Sequence, residues 1–178
     1  MGQKGEETRG RLLDATQDLI ESGGYFAAGL NQIIATSGAP RGSVYFHFNG
    51  GKDEMVVEAV NRAADAITAG ITSIEADDPA EFVAKALALL GDRLEASDWQ
   101  KGCPVATVAL DVAGSNEEVR KACSAAYTAW ERALRDQIGS DDLATTALAL
   151  IEGAILLART HRSREPLDRV GRVIATLL

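Results

Sequence analysis

Apolar residues in this chain recur at three- and four-residue spacing almost from end to end, and no segment sustains the two-residue alternation of a half-buried strand. A chain so patterned buries its core between helices. Leu12, Leu13, Thr16, Leu19 and Ile20 share one helical face, and Gly23-Gly24 is expected to end it, which predicts a first helix over roughly 6–22. Leu30, Ile33 and Ile34 make a short second helix ending at Ser37-Gly38. Pro40, tolerated at a first helical position, opens a third over about 40–47. Phe48-Asn49-Gly50-Gly51 then breaks the chain. Helical runs follow over 52–74, from Phe82 to near Trp99, over 105–113, over 117–138 behind a capping Gly114-Ser115-Asn116, over 141–161, and over 166–178 from Pro166. The expected fold is all-α: three short helices within 1–51, then a bundle of about six longer ones within 52–178.

Composition narrows the partners. The 178 residues are 46% hydrophobic, enough for a sizeable core and against disorder. A formal net charge of -8 argues against wholesale electrostatic adhesion to nucleic acid or an anionic membrane. Residues 1–52 are balanced, with Lys4, Arg9, Arg11, Arg41 and Lys52 against Glu6, Glu7, Asp14, Asp18 and Glu21, so the whole -8 falls on the rest of the chain. Any nucleic-acid contact must therefore be local, and the two parts meet different partners. Cys103 and Cys123 have no CxxC spacing and no neighbouring His, so neither a disulfide framework nor a metal site is indicated. Both read as small buried hydrophobes. Met1 to Arg11 carries no secretory signal, and the most apolar stretch, 143–158, is interrupted by Glu152 and falls short of the ~18 to 20 residues of a bilayer span. A soluble, cytoplasmic protein with no membrane partner is expected.

Two short helices joined by a Gly-containing turn, with a third packed behind them, are the parts of a helix-turn-helix. In the second of the pair, Val44 and Phe48 are four residues apart and can pack inward, leaving Arg41, Gly42, Ser43, Tyr45 and His47 outward. Arg41 can offer a bidentate fork to guanine, Gly42 permits close approach, and Ser43 can donate or accept. Tyr45 and His47 put polar tips on rigid rings, suited to phosphate contacts that set register. Lys52 opens the fourth helix, where the backbone N–H groups and the dipole would add to its charge to favour a phosphate. Arg9 and Arg11 read as solvated helix surface. So few charges give modest affinity per subunit, so useful specificity requires two copies on a symmetric dimer.

The segment from Gly24 to Met55, GYFAAGLNQIIATSGAPRGSVYFHFNGGKDEM, strongly resembles the N-terminal domain of the tetracycline-repressor (TetR) family. Ile33, Gly38, Ser43, Tyr45, Phe48 and Lys52 meet the family pattern. Ala28-Gly29 stands where the family usually has a capping Thr or Ser, and the Phe48-to-Lys52 loop is one residue longer. That loop, Gly-Ala-Pro-Arg-Gly-Ser and the later Gly-Cys-Pro-Val-Ala at 102–106 resemble the lincomycin-resistance repressor (LmrA/YxaF-like) subgroup.

The resemblance implies a homodimeric, ligand-responsive repressor of a palindromic double-stranded DNA operator, with Asn31, Arg41, Gly42, Ser43, Tyr45, His47 and Lys52 on the DNA side and no cofactor. Residues 1–51 would then bind DNA, and 52–178 would bind a small apolar or aromatic effector and dimerise. Phe82, Trp99, Cys103, Val108, Tyr127 and Trp130 are candidate effector-contacting groups, suited to flat aromatic compounds. Leu143, Ala147, Leu150, Ile151, Ala154, Ile155 and Ala158 form a broad stripe that a four-helix dimer seam would bury. A small-ligand-binding all-α protein that does not read DNA is the rival reading, supported by the missing Thr. A small all-α enzyme is the third, although no P-loop, GxSxG, HExxH or GxGxxG motif is present.

Overall fold

The computed structural model describes residues 3–178. Among them are nine helices and no strand: α1 (Gln3–Ala27), α2 (Leu30–Ser37), α3 (Arg41–His47), α4 (Lys52–Thr72), α5 (Pro79–Ala96), α6 (Pro104–Val112), α7 (Glu117–Ile138), α8 (Asp141–His161) and α9 (Glu165–Leu177). The all-α expectation holds. Boundaries agree where caps mark them: Asn116 Oδ1 accepts from Val119 N–H at 3.1 Å before α7, and Ser140 Oγ accepts from Leu143 N–H at 3.3 Å before α8. The exception is α1, which passes through the expected stop. Gly24 takes φ 75 and kinks the helix instead of ending it, and one further turn carries Tyr25 and Phe26.

The chain forms two compact units, divided differently from the cut expected at 51/52. One holds residues up to Ala63 together with Pro104–Ala126, the other Ala64–Cys103 and Tyr127–Leu178. Helix α6 and the first half of α7 thus pack with the N-terminal helices. In the first unit α1 lies against α2, α3 and α6, burying Leu12, Ile20, Ile33, Val44, Phe48, Met55, Val105 and Val108. In the second, α9 packs on α5 and α8 around Phe82, Leu87, Leu134, Ile151, Ala154 and Leu167. Arg164, at the α8–α9 corner, pairs with both Asp92 and Glu95 of α5, and Arg93 and Lys101 have interactions of their own.

Helix α8 is long and apolar enough to cross a bilayer by length and composition, contrary to the sequence estimate, because Asp141 and Asp142 start the helix before the apolar stretch and Arg159 to His161 extend it. Its inner face is nonetheless the core of the second unit, where Ala144, Ala147, Ile151, Ala154, Ile155 and Ala158 are buried.

Candidate nucleic-acid interface

Helix α3 is seven residues long, starts after Pro40 in extended conformation, and is reached from α2 through Gly38. Gly38 has φ 61, and its N–H donates to Ile34 O at 3.1 Å, so the left-handed residue both ends α2 and turns the chain. At about 100° per residue, Val44 and Phe48 define the inward direction of α3, and both are fully buried. Arg41 and Gly42 are exposed, Tyr45 is 59% exposed, and Ser43 is partly so. Arg41 Nη2 donates to Asn31 Oδ1 at 3.1 Å, so two of the expected DNA-side residues, one from each short helix, hold each other at the surface. Beside Gly42 a Cβ would meet nothing within 4 Å, so its missing side chain answers no internal packing need.

Two expected residues are placed otherwise. His47 lies only about 80° from the inward direction and is half-buried; its Nδ1 is enclosed and has no hydrogen-bond partner. That nitrogen is not offered to a phosphate. Lys52 Nζ sits 3.6 Å from the centroid of the Tyr25 ring, a cation–π contact, rather than projecting freely. Burial lowers its pKa, and the neighbouring Asp53 and Asp111 partly restore it.

Lys52 belongs to a polar knot that the sequence did not reveal. Tyr25 Oη donates to Asp53 Oδ1 at 2.5 Å, Asn116 Nδ2 donates to Asp53 Oδ2 at 2.9 Å, and Phe26 N–H reaches Asp111 Oδ2 at 3.4 Å. Burial, then Asp53, pushes the Tyr25 hydroxyl up to about 12. The kink explains how these groups meet: at Gly24 a Cβ would lie 2.5 Å from Asp111 Oδ2, so only glycine lets the end of α1 approach α6 this closely. The start of α4 is thereby tied to the end of α1 and to the α6–α7 corner. Arg9 is likewise not solvated surface. It pairs with Glu58 of α4, and its guanidinium lies 5.0 Å from the Phe48 ring centroid. Arg11 Nη2 reaches Thr8 Oγ1 at 3.4 Å.

The most exposed large hydrophobic side chain of α3 is one that sequence reasoning passed over: Phe46, 73% exposed. The signal was present, because about 180° from the midpoint of Val44 and Phe48 the wheel of α3 points to Phe46, with Gly42 one turn earlier.

Of the effector candidates, Phe82, Trp99, Cys103, Tyr127 and Trp130 lie in the second unit, whereas Val108 is buried in the first. Trp130 donates from Nε1 to Ala64 O at 3.1 Å and meets Tyr127 edge-on at 5.5 Å between ring centroids. Trp99 and Tyr127 are half-buried, and Cys103 bonds to Glu152, whose carboxyl is pushed up mainly by burial. Burial raises the Cys123 thiol to about 11, which makes it inert. Of the expected dimer stripe, Ala147, Ile151, Ala154, Ile155 and Ala158 are buried in the chain's own core, and Leu143 and Leu150 pack partly against it. The outward face of α8 instead carries Ala149, Gly153, Leu156 and Leu157.

Residues 12–59 match the family described as bacterial regulatory proteins, tetR family, and residues 79–173 match the transcriptional regulator LmrA/YxaF-like C-terminal domain. The chain belongs to the TetR family. It is 37% identical over 182 residues to the HTH-type transcriptional regulator LmrA of Bacillus subtilis, covering 97% of each. It is 29% identical to the regulator YxaF of the same organism, over 97% of this chain and 95% of that one. Among solved structures, the regulatory protein TetR from Rhodobacter sphaeroides aligns with a TM-score of 0.84 at 19% identity, over 94% of this chain and 96% of that one. CifR, a TetR-family regulator solved with 26bp double-strand operator DNA, aligns with a TM-score of 0.81 at 22% identity over 94% of each chain. As a TetR-family transcriptional regulator the chain is DNA-binding, and the reading as a carrier that ignores DNA is set aside.

Proposed function

We propose that this TetR-family regulator is a cytoplasmic, homodimeric repressor that seats one α3 of each copy in the major groove of a palindromic operator and is released by a small apolar or aromatic effector. The observation that carries the reading is the division of α3: Val44 and Phe48 are inside, and an exposed Arg41 is steadied by Asn31 on the opposite side of the turn. A pre-oriented guanidinium suits bidentate contact with guanine O6 and N7. Tyr45 supplies a backbone contact, Ser43 a small polar one, and Gly42 the clearance. Lys52 reaches a phosphate only by leaving the Tyr25 ring, and His47 acts through the ring edge that is not enclosed.

Dimerisation uses the outward face of α8, Ala149, Gly153, Leu156 and Leu157, with Val173 and Leu177 of α9. Leu156 and Leu157 are 59% and 49% exposed in the single chain, an apolar face that a second copy would cover. The effector lies among Trp99, Cys103, Tyr127 and Trp130, with Glu152 as the polar group that orients it. Binding shifts the separation of the two α3 helices away from one DNA turn, about 34–36 Å, and a coupling of about 1–3 kcal/mol between the sites is sufficient. A mobility shift with duplexes selected from a random pool, repeated with Arg41→Ala, tests the DNA reading. A shift that Arg41→Ala leaves untouched refutes the assigned surface. For the effector, a panel of flat aromatic compounds scored by melting temperature should contain at least one that raises it and disrupts the shifted band.

A further inference from the structure

We propose that Phe46 is a specificity residue of the operator complex, reading the 5-methyl group of one thymine in each half-site. The inference rests on the reading that α3 enters the major groove and adds to it the class of base that its apolar centre selects. Phe46 projects from the middle of the outward face of α3, 73% exposed, opposite the buried Val44 and Phe48. A phenylalanine so placed is mostly open to solvent. Its ring is also held: it meets the His47 ring edge-on at 4.9 Å between centroids, with an interplanar angle of 84°. The imidazole that carries an enclosed Nδ1 therefore serves as a wall that fixes the direction of Phe46.

Gly42, one turn earlier on the same face, leaves open space beside the ring, so a base edge can approach the helix backbone there. Arg41 and Tyr45, four residues apart on one adjacent side of the helix, add groups that bind guanine edges and the sugar-phosphate backbone. The major-groove edge of double-stranded DNA offers one apolar group, the thymine methyl, and a phenylalanine face is a suitable partner for it. Guanine, cytosine and adenine carry no methyl there, and a phenyl ring would leave their donors and acceptors unpaired.

The test uses the full chain and a duplex enriched by that chain from a random pool. Each thymine of the enriched duplex is replaced, one position per half-site at a time, by deoxyuridine, which removes only the methyl. Loss of one buried methyl corresponds to about a fourfold weakening per half-site. One symmetric thymine position should weaken binding of the wild-type chain by roughly that factor at each half-site, while Phe46→Ala binds the thymine duplex more weakly and is indifferent to uridine at that position. Phe46→Leu should restore part of the discrimination, and because Phe46 is exposed all three proteins should melt alike. Uniform tolerance of uridine by the wild type, or an enriched duplex without thymine in the half-site, overturns the methyl contact while leaving the α3 reading intact. Failure of the wild type to enrich any duplex removes both.

Discussion

Helices α3 and α8 both carry large apolar side chains on their surfaces, yet they differ in how their faces are divided. Helix α3 and the Phe48 that caps it contain one inward pair, Val44 and Phe48, and a mainly polar remainder, so the contrast itself indicates which side is inside. Helix α8 is apolar on more than one face. Ala147, Ile151 and Ala154 look as suitable for an interface as Leu156 and Leu157, but the first three are core and the last two are surface. Periodicity locates a face only where polar residues oppose it. Where they do not, the neighbouring elements decide, here α5 and α9.

Substitutions can break this comparison, beginning with the inward faces. Phe48→Ala should cost about 3–5 kcal/mol and Ile151→Ala about 2–5 kcal/mol in urea unfolding, since both leave cavities in packed interiors. A negligible loss at Ile151 would return that residue to an intermolecular role. On the outward side of α8, Leu157→Glu should shift sedimentation from dimer to monomer while changing protomer stability by no more than about 0.5 kcal/mol. On the outward side of α3, Arg41→Ala should weaken operator binding by about 1–3 kcal/mol without altering the melt, and relax preference at one base pair.

The smallest effect concerns Glu152. Its carboxyl is raised in the folded chain, so the protonated form is favoured there; the stabilisation is complete below the unfolded value of 4.5 and is lost as pH rises through the folded value. Glu152→Gln, which mimics the protonated form, should therefore raise the melting temperature at neutral pH, with the gain vanishing in acid. An equal gain at all pH values would point to packing instead of charge.

Much of this was legible because local chemistry set it. Gly38, Pro40, Asn116, Ser140 and Pro166 punctuate the chain where helices start or stop, and the α7 and α8 limits follow from them. The α1 limit did not follow, because a Gly-Gly pair signals a stop and cannot reveal that α6 supplies Asp111 beside the kink. Lys52 illustrates the same limit. Its position predicts a phosphate contact, but the Tyr25 ring beneath it comes from a helix end that only the fold brings near. Arg9 was hidden for the same reason, its partner Glu58 lying 49 residues away. Phe46, by contrast, was within reach, since the wheel of α3 points to it once Val44 and Phe48 are taken as inward.

Guanine-N7 protection on an enriched operator tests most directly whether two copies of the α3 face read the major groove. Two symmetric protected tracts, centred about 10 bp apart or a multiple of that, are expected with the wild-type chain, and both should fade with Arg41→Ala. A single tract, or two tracts that persist unchanged in Arg41→Ala, would contradict the paired α3 reading.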